Sequence, residues 1–192
     1  MGRKNDFRPD RVNHDILGKL LLTSRQRKEV AKWLLFSLVC LVGLLVQDVL
    51  MSQVSLYGIT TDLAACCILA VCIIQGGESG SIFVFVASVV YYYSDSAPGP
   101  YCIVLLTAIG IFVALFRQMF LSQGFFTLLL CLAAALLIYE MSLFGMGLIL
   151  GHTILARAGI FAGTALLTLA AVPVLYPIFV SIGKIGGELW KE

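Results

Sequence analysis

The distribution of charge most constrains what this chain can fold into. The 192 residues include 24 charged side chains (13 Lys and Arg, 11 Asp and Glu), and 13 of them lie within residues 1–32. Only 11 charges remain for the other 160 residues. A soluble domain carries about 25% charged residues to keep its surface hydrated, whereas this chain carries 12%. So few charges cannot cover a water-exposed globule of this size. The sequence therefore predicts an all-α integral membrane protein.

The first residues form a basic block. Residues 1–32 hold nine basic and four acidic side chains, a net charge of +5, whereas residues 33–183 carry −3. The positive-inside rule then places the N-terminus in the cytoplasm. An apolar stripe at helical spacing predicts an amphipathic cytoplasmic head that contacts anionic lipids, in preference to a segment that binds nucleic acid. The block is too long for the n-region of a secretory signal peptide.

Charge-free intervals between polar turns predict six transmembrane helices, because a charge at the bilayer centre costs at least ~2.5 kcal/mol. The predicted spans are residues 33–50, 61–76, 80–94, 100–120, 124–143 and 158–183. They make a transmembrane domain over residues 33–183, followed by a short cytoplasmic tail over residues 184–192. Both termini are then cytoplasmic. Spans two and three are shorter than the ~20 residues of a perpendicular span, so we expect them to pack against other protein.

The sequence also makes specific predictions about residues 144–157, the prolines of span six and the tyrosines. Residues 144–157 could form a loop, a surface helix or a re-entrant segment. Pro173 and Pro177 should bend span six, because each proline removes an intrahelical hydrogen bond. Aromatic rings with a polar tip favour the membrane interfaces. The tyrosines expected at the outer interface are Tyr57, Tyr91, Tyr92, Tyr93 and Tyr101.

Residues that carry catalysis are sparse. The six cysteines lie in apolar runs and are interpreted as small hydrophobic side chains, so neither a disulfide nor a metal or cofactor site is predicted. His14 and His152 complete no zinc or nucleotide motif. Residues 77–80 (Gly-Glu-Ser-Gly) match the GxSG of rhomboid-type intramembrane proteases, and His152 could be the base. The predicted topology puts Ser79 and His152 on opposite sides of the membrane, so we expect no enzyme.

Glu140 is the acidic residue that lies deepest within a predicted span, whereas the other acids of residues 33–183 fall at span ends. A functional interpretation is a proton relay or a cation site, since acids inside membranes lean towards function. The structural interpretation is a helix-end carboxylate near the external face, or one paired to Arg157. Because no chain of acids crosses the membrane, the structural interpretation is favoured.

The order of short motifs resembles the MreD family, the small membrane subunit of the bacterial rod-shape system. Span one ends in Gln47, and the remaining matches follow in chain order: Thr61-Asp62-Leu63, Gly76-Gly77-Glu78-Ser79-Gly80, Gly99-Pro100-Tyr101, Leu137-Ile138-Tyr139-Glu140 and Leu175-Tyr176-Pro177. The chain departs from the family along span three. Val84 and Ser88 stand where that family usually has glycines, and Tyr92 stands about where it has Asp.

This resemblance implies a non-enzymatic scaffold in the bacterial cytoplasmic membrane. Such a protein binds the single-span protein MreC and links cytoskeletal MreB to a RodA-type glycosyltransferase and a class B penicillin-binding protein, without a cofactor. The residues expected to make partner or structural contacts are Gln47, Asp62, Gly76, Gly77, Glu78, Gly80, Gly99, Pro100, Tyr101, Glu140, Pro173 and Pro177.

An alternative belongs to a different functional class. The MreD family is similar in size and span count to the substrate-binding S components of energy-coupling-factor vitamin transporters, which form compact helical bundles. An S component would present polar and aromatic groups around an external cavity. Tyr91, Tyr92, Tyr93, Asp95 and Glu140 could contribute to such a cavity.

Overall fold

The computed structural model describes residues 24–51, 59–120 and 124–185, and within these ranges it contains helices and no strand. The helices are α1 (Ser24–Val46), α2 (Leu63–Gln75), α3 (Gly77–Tyr93), α4 (Tyr101–Phe120), α5 (Phe125–Ile149), α6 (Ala158–Leu169) and α7 (Val172–Gly183). A π-helical turn (Gln47–Met51) extends α1, and a 3-10 turn (Leu155–Arg157) precedes α6. The all-α prediction is confirmed.

Among the described residues, three helical segments are long and apolar enough to cross a membrane. They are Arg27–Val49, Tyr101–Gln118 and Phe125–Ile149. The segments Leu155–Leu169 and Val172–Gly183 make a fourth if the bent pair counts as one span. These lengths agree with a membrane protein, because about 20 apolar residues cross the ~30 Å hydrocarbon core.

Helix α2 is the centre of the bundle. It packs against every other helix of the described chain, from α1 to α7, and 11 of its 13 residues are buried. A helix surrounded on all sides must be apolar all round, and its sequence LAACCILAVCIIQ meets that condition. Its length is only ~20 Å at 1.5 Å per residue. The expectation that span two packs against protein is confirmed.

Helix α3 buries one stripe only. Its buried residues are Gly80, Val84, Ser88 and Tyr91, a spacing of four, four and three that follows one face of a helix. The added Cβ of an alanine at Gly80 would lie 2.8 Å from the carbonyl oxygen of Cys72. Gly80 therefore allows α3 to cross the C-terminal turn of α2 at close range, and Val84 and Ser88 continue the same packed face.

One predicted boundary is wrong, and one predicted span is bent as expected. Span five was expected to end at residue 143, but α5 continues to Ile149. The predicted span over 158–183 is two helices bent by 51°. The break falls at Ala170, because Pro173 has no N–H to donate to the Leu169 carbonyl and its ring would clash there. The predicted bend is thus confirmed for Pro173, whereas Pro177 lies inside α7 without ending it.

Several predictions concern parts of the chain outside the described residues. They include most of the basic head, namely residues 1–23, together with Tyr57 and the tail beyond residue 185. The described portion of the head is helical, since α1 starts at Ser24 and runs without a break through residue 32 into the apolar segment.

Candidate functional site

The polar groups of the bundle concentrate at the N-terminal end of α2. Asp62 is its N-cap residue, and its Oδ1 accepts a hydrogen bond from the Ala65 N–H at 3.0 Å. A capping carboxylate satisfies one of the first N–H groups of a helix, which have no intrahelical partner. The Asp62 N–H itself donates to Thr168 Oγ1 on α6 at 2.9 Å. This end of α2 is therefore tied to the following turn and to a distant helix.

Helices α1 and α3 complete the same cluster. The Tyr91 hydroxyl donates to Asp62 Oδ2 at 3.1 Å. From the π-helical turn that extends α1, Gln47 Oε1 accepts a hydrogen bond from the Ala64 N–H at 2.8 Å. The Gln47 side chain also interacts with Asp62 and Tyr91. Single π-helical turns within α-helices are frequent at functional sites because they redirect one side chain, and here that side chain meets α2.

A cavity of about 240 Å³ opens beside this cluster. Its wall contains Gln47, Asp62, Tyr91, Phe161 and Thr164, together with Glu140 from α5. The cavity thus joins five segments of the chain, and it places two carboxyl groups on one wall. Among its described lining residues there is no Lys, Arg or His. The described wall of the cavity therefore carries acidic side chains and no basic one.

Glu140 is buried at this cavity, with only 4% of its surface exposed. Within the part of the chain that the structure describes, its side chain makes no hydrogen bond and no ion pair. It interacts electrostatically with Asp62 across the cavity. The expected pairing with Arg157 is not formed, because Arg157 is exposed and lines a neighbouring cavity.

A second, larger cavity adjoins the first. It measures about 390 Å³ and is lined by Tyr101, His152 and Arg157 among others. Pro98, Leu143, Ile160 and Phe161 line both cavities. Arg157 and His152 line the second cavity and are not among the described lining residues of the cavity that contains Glu140.

The remaining residues implied by the resemblance lie in two other places. Gly76 and Gly77 form the turn between α2 and α3, where positive φ angles of 59° and 54° favour glycine. Glu78 is exposed in the first turn of α3. Ser79 shares that turn at the far end of α3, whereas His152 lies at the cavity end, so the protease pair is not brought together.

The loop before α4 has a conformational role. The Cys102 N–H donates to the Gly99 carbonyl at 3.1 Å, and the Ile103 N–H donates to the Pro100 carbonyl at 3.3 Å. Proline directly before or at the start of a helix is well tolerated, because its missing N–H would have had no helical partner. Tyr101 turns back so that its hydroxyl donates to the Pro98 carbonyl at 3.4 Å.

Sequence reasoning missed the roles of three residues in the cluster. Tyr91 was expected at the outer interface with its neighbours, but it is 1% exposed while Tyr93 is 81% exposed. Thr168 and Tyr139 were not singled out for any contact. The spacing of Tyr91 from Gly80, Val84 and Ser88 could have identified it, because that spacing places all four residues on one face of α3.

Comparison of the chain with protein-family models, with curated proteins and with solved structures gives no match. The chemistry of the site is therefore argued from its own geometry.

Proposed function

We propose that the protein is a six-span subunit of the bacterial cytoplasmic membrane with both termini in the cytoplasm. In this arrangement α1 to α5 each form one span, and the bent pair of α6 and α7 forms the sixth. The basic block of residues 1–32 and Lys184 support the orientation through the positive-inside rule. Helices α2 and α3 are short for a span, which is acceptable because α2 is enclosed by protein.

Within that membrane the proposed role is a non-enzymatic scaffold of the rod-shape system. It binds an MreC-like single-span protein and through it links MreB to a RodA-type glycosyltransferase and a class B penicillin-binding protein. The motif order from Gln47 to Pro177 supports this role. The first turns of α1, where Arg27 and Lys28 are exposed, provide the contact with anionic lipids.

The observation that carries the scaffold proposal is an apolar groove between α1 and α3. The groove holds about 240 Å³, and its floor is formed by Ala64 and Ile68 of α2. Leu41 of α1 and Val86 of α3 are exposed on its two rims. Helices associate in membranes by close side-chain packing in such grooves. A single transmembrane helix can place one ridge of side chains between the rims.

Site-directed photocrosslinking tests this role. A photoreactive benzoylphenylalanine at Leu41 or Val86 should crosslink a co-expressed MreC-like protein in native membranes. The matched control is the same substitution at Leu130, which is equally apolar and exposed but lies on α5, away from the groove. No adduct at either rim, or an adduct of equal yield at Leu130, would refute the groove as the partner site.

The acidic cavity favours a second candidate, the substrate-binding subunit of an energy-coupling-factor transporter. Tyr91 and Glu140, two of the five residues expected around such a cavity, do line it, together with Asp62. Its volume of about 240 Å³ is below the ~300–1,000 Å³ of usual small-molecule pockets, so the scaffold is preferred. Co-purification decides between them: an ATPase pair supports the transporter, and a single-span partner supports the scaffold.

A further inference from the structure

The acidic cavity between α2, α3 and α5 holds more carboxyl groups than the fold uses. Asp62 has a structural task, because it caps α2 and accepts the Tyr91 hydroxyl. Glu140 has none, since it makes no hydrogen bond or ion pair with the described residues although 96% of its surface is buried. Glu140 lines the cavity, and its oxygens are not among the sealed atoms without a hydrogen-bond partner, so a group held in the cavity can bind its carboxyl.

A second unpartnered group lies beside it. The Tyr139 side chain is 0% exposed, and its hydroxyl has no hydrogen-bond partner within the described residues. It interacts electrostatically with Asp62, Tyr91 and Glu140, which all line the cavity. Buried tyrosine hydroxyls normally find a partner. Glu140 lines the cavity and Tyr139 does not, so Glu140 is the group that points to a ligand there.

The chemistry of the wall defines that ligand. Two carboxyl groups and no basic side chain among the described lining residues favour a cation. A cavity of about 240 Å³ is several times the ~30 Å³ of one water molecule, so it has room for an organic group as well as its charge. Phe161, Leu143 and Ile160 provide an apolar surface on the side away from the charge.

We propose that this cavity binds a protonated primary amine, either a small free molecule or the ethanolamine headgroup of a lipid. An ammonium has three N–H donors and no acceptor. The carboxyl groups of Glu140 and Asp62 offer oxygen acceptors, and the organic part lies against Phe161. This inference is independent of the scaffold role, because the groove that carries that role lies between α1 and α3.

A pair of probes that differ only in charge tests the proposal. The full chain in phosphatidylcholine nanodiscs is titrated with 2-phenylethylamine and, separately, with 2-phenylethanol, which has the same number of non-hydrogen atoms. The thermal unfolding midpoint and calorimetric heats are recorded. The amine should bind saturably and raise the midpoint, and the alcohol should do neither. Equal responses to both probes would overturn the proposal.

Matched variants identify the site. Glu140→Gln keeps the size of the side chain and should weaken amine binding at least tenfold, whereas Glu78→Gln, which neutralises an exposed acid at the other end of α3, should leave it unchanged. Asp62→Asn, which keeps an oxygen to cap α2, should weaken binding about two- to fivefold and serves if Glu140→Gln does not fold. Unchanged binding in both cavity variants would reject the site.

Two further arms separate the possible occupants. If the lipid headgroup is the source, nanodiscs of phosphatidylethanolamine should raise the midpoint over phosphatidylcholine and reduce the apparent affinity for 2-phenylethylamine, and Glu140→Gln should abolish both effects. If a free amine is the source, the lipid makes no difference.

Sodium chloride is the ion control. A shift produced in full by sodium at equal concentration would show an inorganic cation site and refute the amine. Loss of amine binding with intact groove crosslinks would leave the scaffold role standing, and the reverse would leave the amine site standing.

Discussion

The two ends of α2 are held by side chains of opposite charge. At the N-terminal end the Asp62 carboxyl accepts the Ala65 N–H. At the C-terminal end the buried Arg117 guanidinium donates to the Ile73 carbonyl, and Lys32 Nζ donates to Gln75 Oε1 at 3.0 Å. This polarity follows the helix dipole, which favours anions near the first N–H groups and cations near the last carbonyls.

The two ends of α2 differ in which side-chain groups are not used to close the helix. At the basic end, Arg117 and Lys32 each have a partner. At the acidic end a second carboxyl group, that of Glu140, lies beside a cavity and is not needed to cap the helix. Buried charge therefore has a different use at each end of this helix. The basic end leaves a neutral amide nitrogen, Gln75 Nε2, without a partner among the described residues, whereas the acidic end retains an acidic group that can bind something else.

Removal of the acidic cap should have the largest effect. Asp62→Leu leaves the Ala65 N–H and the Tyr91 hydroxyl without an acceptor, so we expect the free energy of unfolding to fall by about 2–4 kcal/mol. Asp62→Asn keeps an oxygen acceptor and should cost less than about 1 kcal/mol. Circular dichroism during titration of dodecylmaltoside micelles with sodium dodecyl sulfate measures both. Equal losses in the two variants would show that the oxygen acceptor kept by Asn contributes nothing to the cap.

Removal of the basic cap should have a somewhat smaller effect. Arg117 is 7% exposed and donates to the Ile73 carbonyl, so Arg117→Met removes a buried charge-assisted hydrogen bond and should cost about 1.5–3 kcal/mol. The exposed Arg157 provides the matched control, and Arg157→Met should stay within about 0.5 kcal/mol. The same micelle titration applies. A comparable loss in the control would mean that burial of the guanidinium contributes nothing.

The hydrogen bond between Lys32 and Gln75 should contribute least. Lys32 is half-buried and donates to Gln75, and partly solvated bonds of this kind are worth about 0.5–1 kcal/mol. A double-mutant cycle with Lys32→Met and Gln75→Leu isolates the interaction, because Lys32 also lies over the Trp33 ring at 5.5 Å. A coupling energy near zero would leave Arg117 as the sole contributor to the basic end.

The positions of most helices could be predicted from charges together with polar turns, with one instructive failure. Turns with polar residues, such as Gly76-Gly77-Glu78, were placed correctly because each interrupts an apolar run. The end of α5 was misplaced at residue 143 because the run that contains Gly145 and Gly147 resembles a loop. In an apolar setting these glycines remain helical, since glycine is well tolerated in membrane helices. Amino-acid composition therefore did not distinguish a loop from the continuation of a helix.

The candidate site was predictable only in part. Gln47, Asp62 and Glu140 were each singled out from local patterns, yet nothing in the sequence brings α1, α2 and α5 to one cavity. Their convergence depends on α2 lying at the centre of the bundle, which is a tertiary arrangement. Tyr91 shows a weaker form of this limit, because only its helical spacing from Gly80, Val84 and Ser88 separates it from the adjacent tyrosines.

The hydrogen bond between the Asp62 N–H and Thr168 joins residues 106 positions apart, and this separation affects how the chain is made. At a synthesis rate of ~5–20 residues per second, the Asp62 amide precedes its partner by roughly 5 to 20 seconds. For most of that interval the residues of α2 have been made but those of α6 have not. A nascent chain stopped before residue 168 therefore presents an unfinished acidic end, and the cavity is among the last parts of the protein to be assembled.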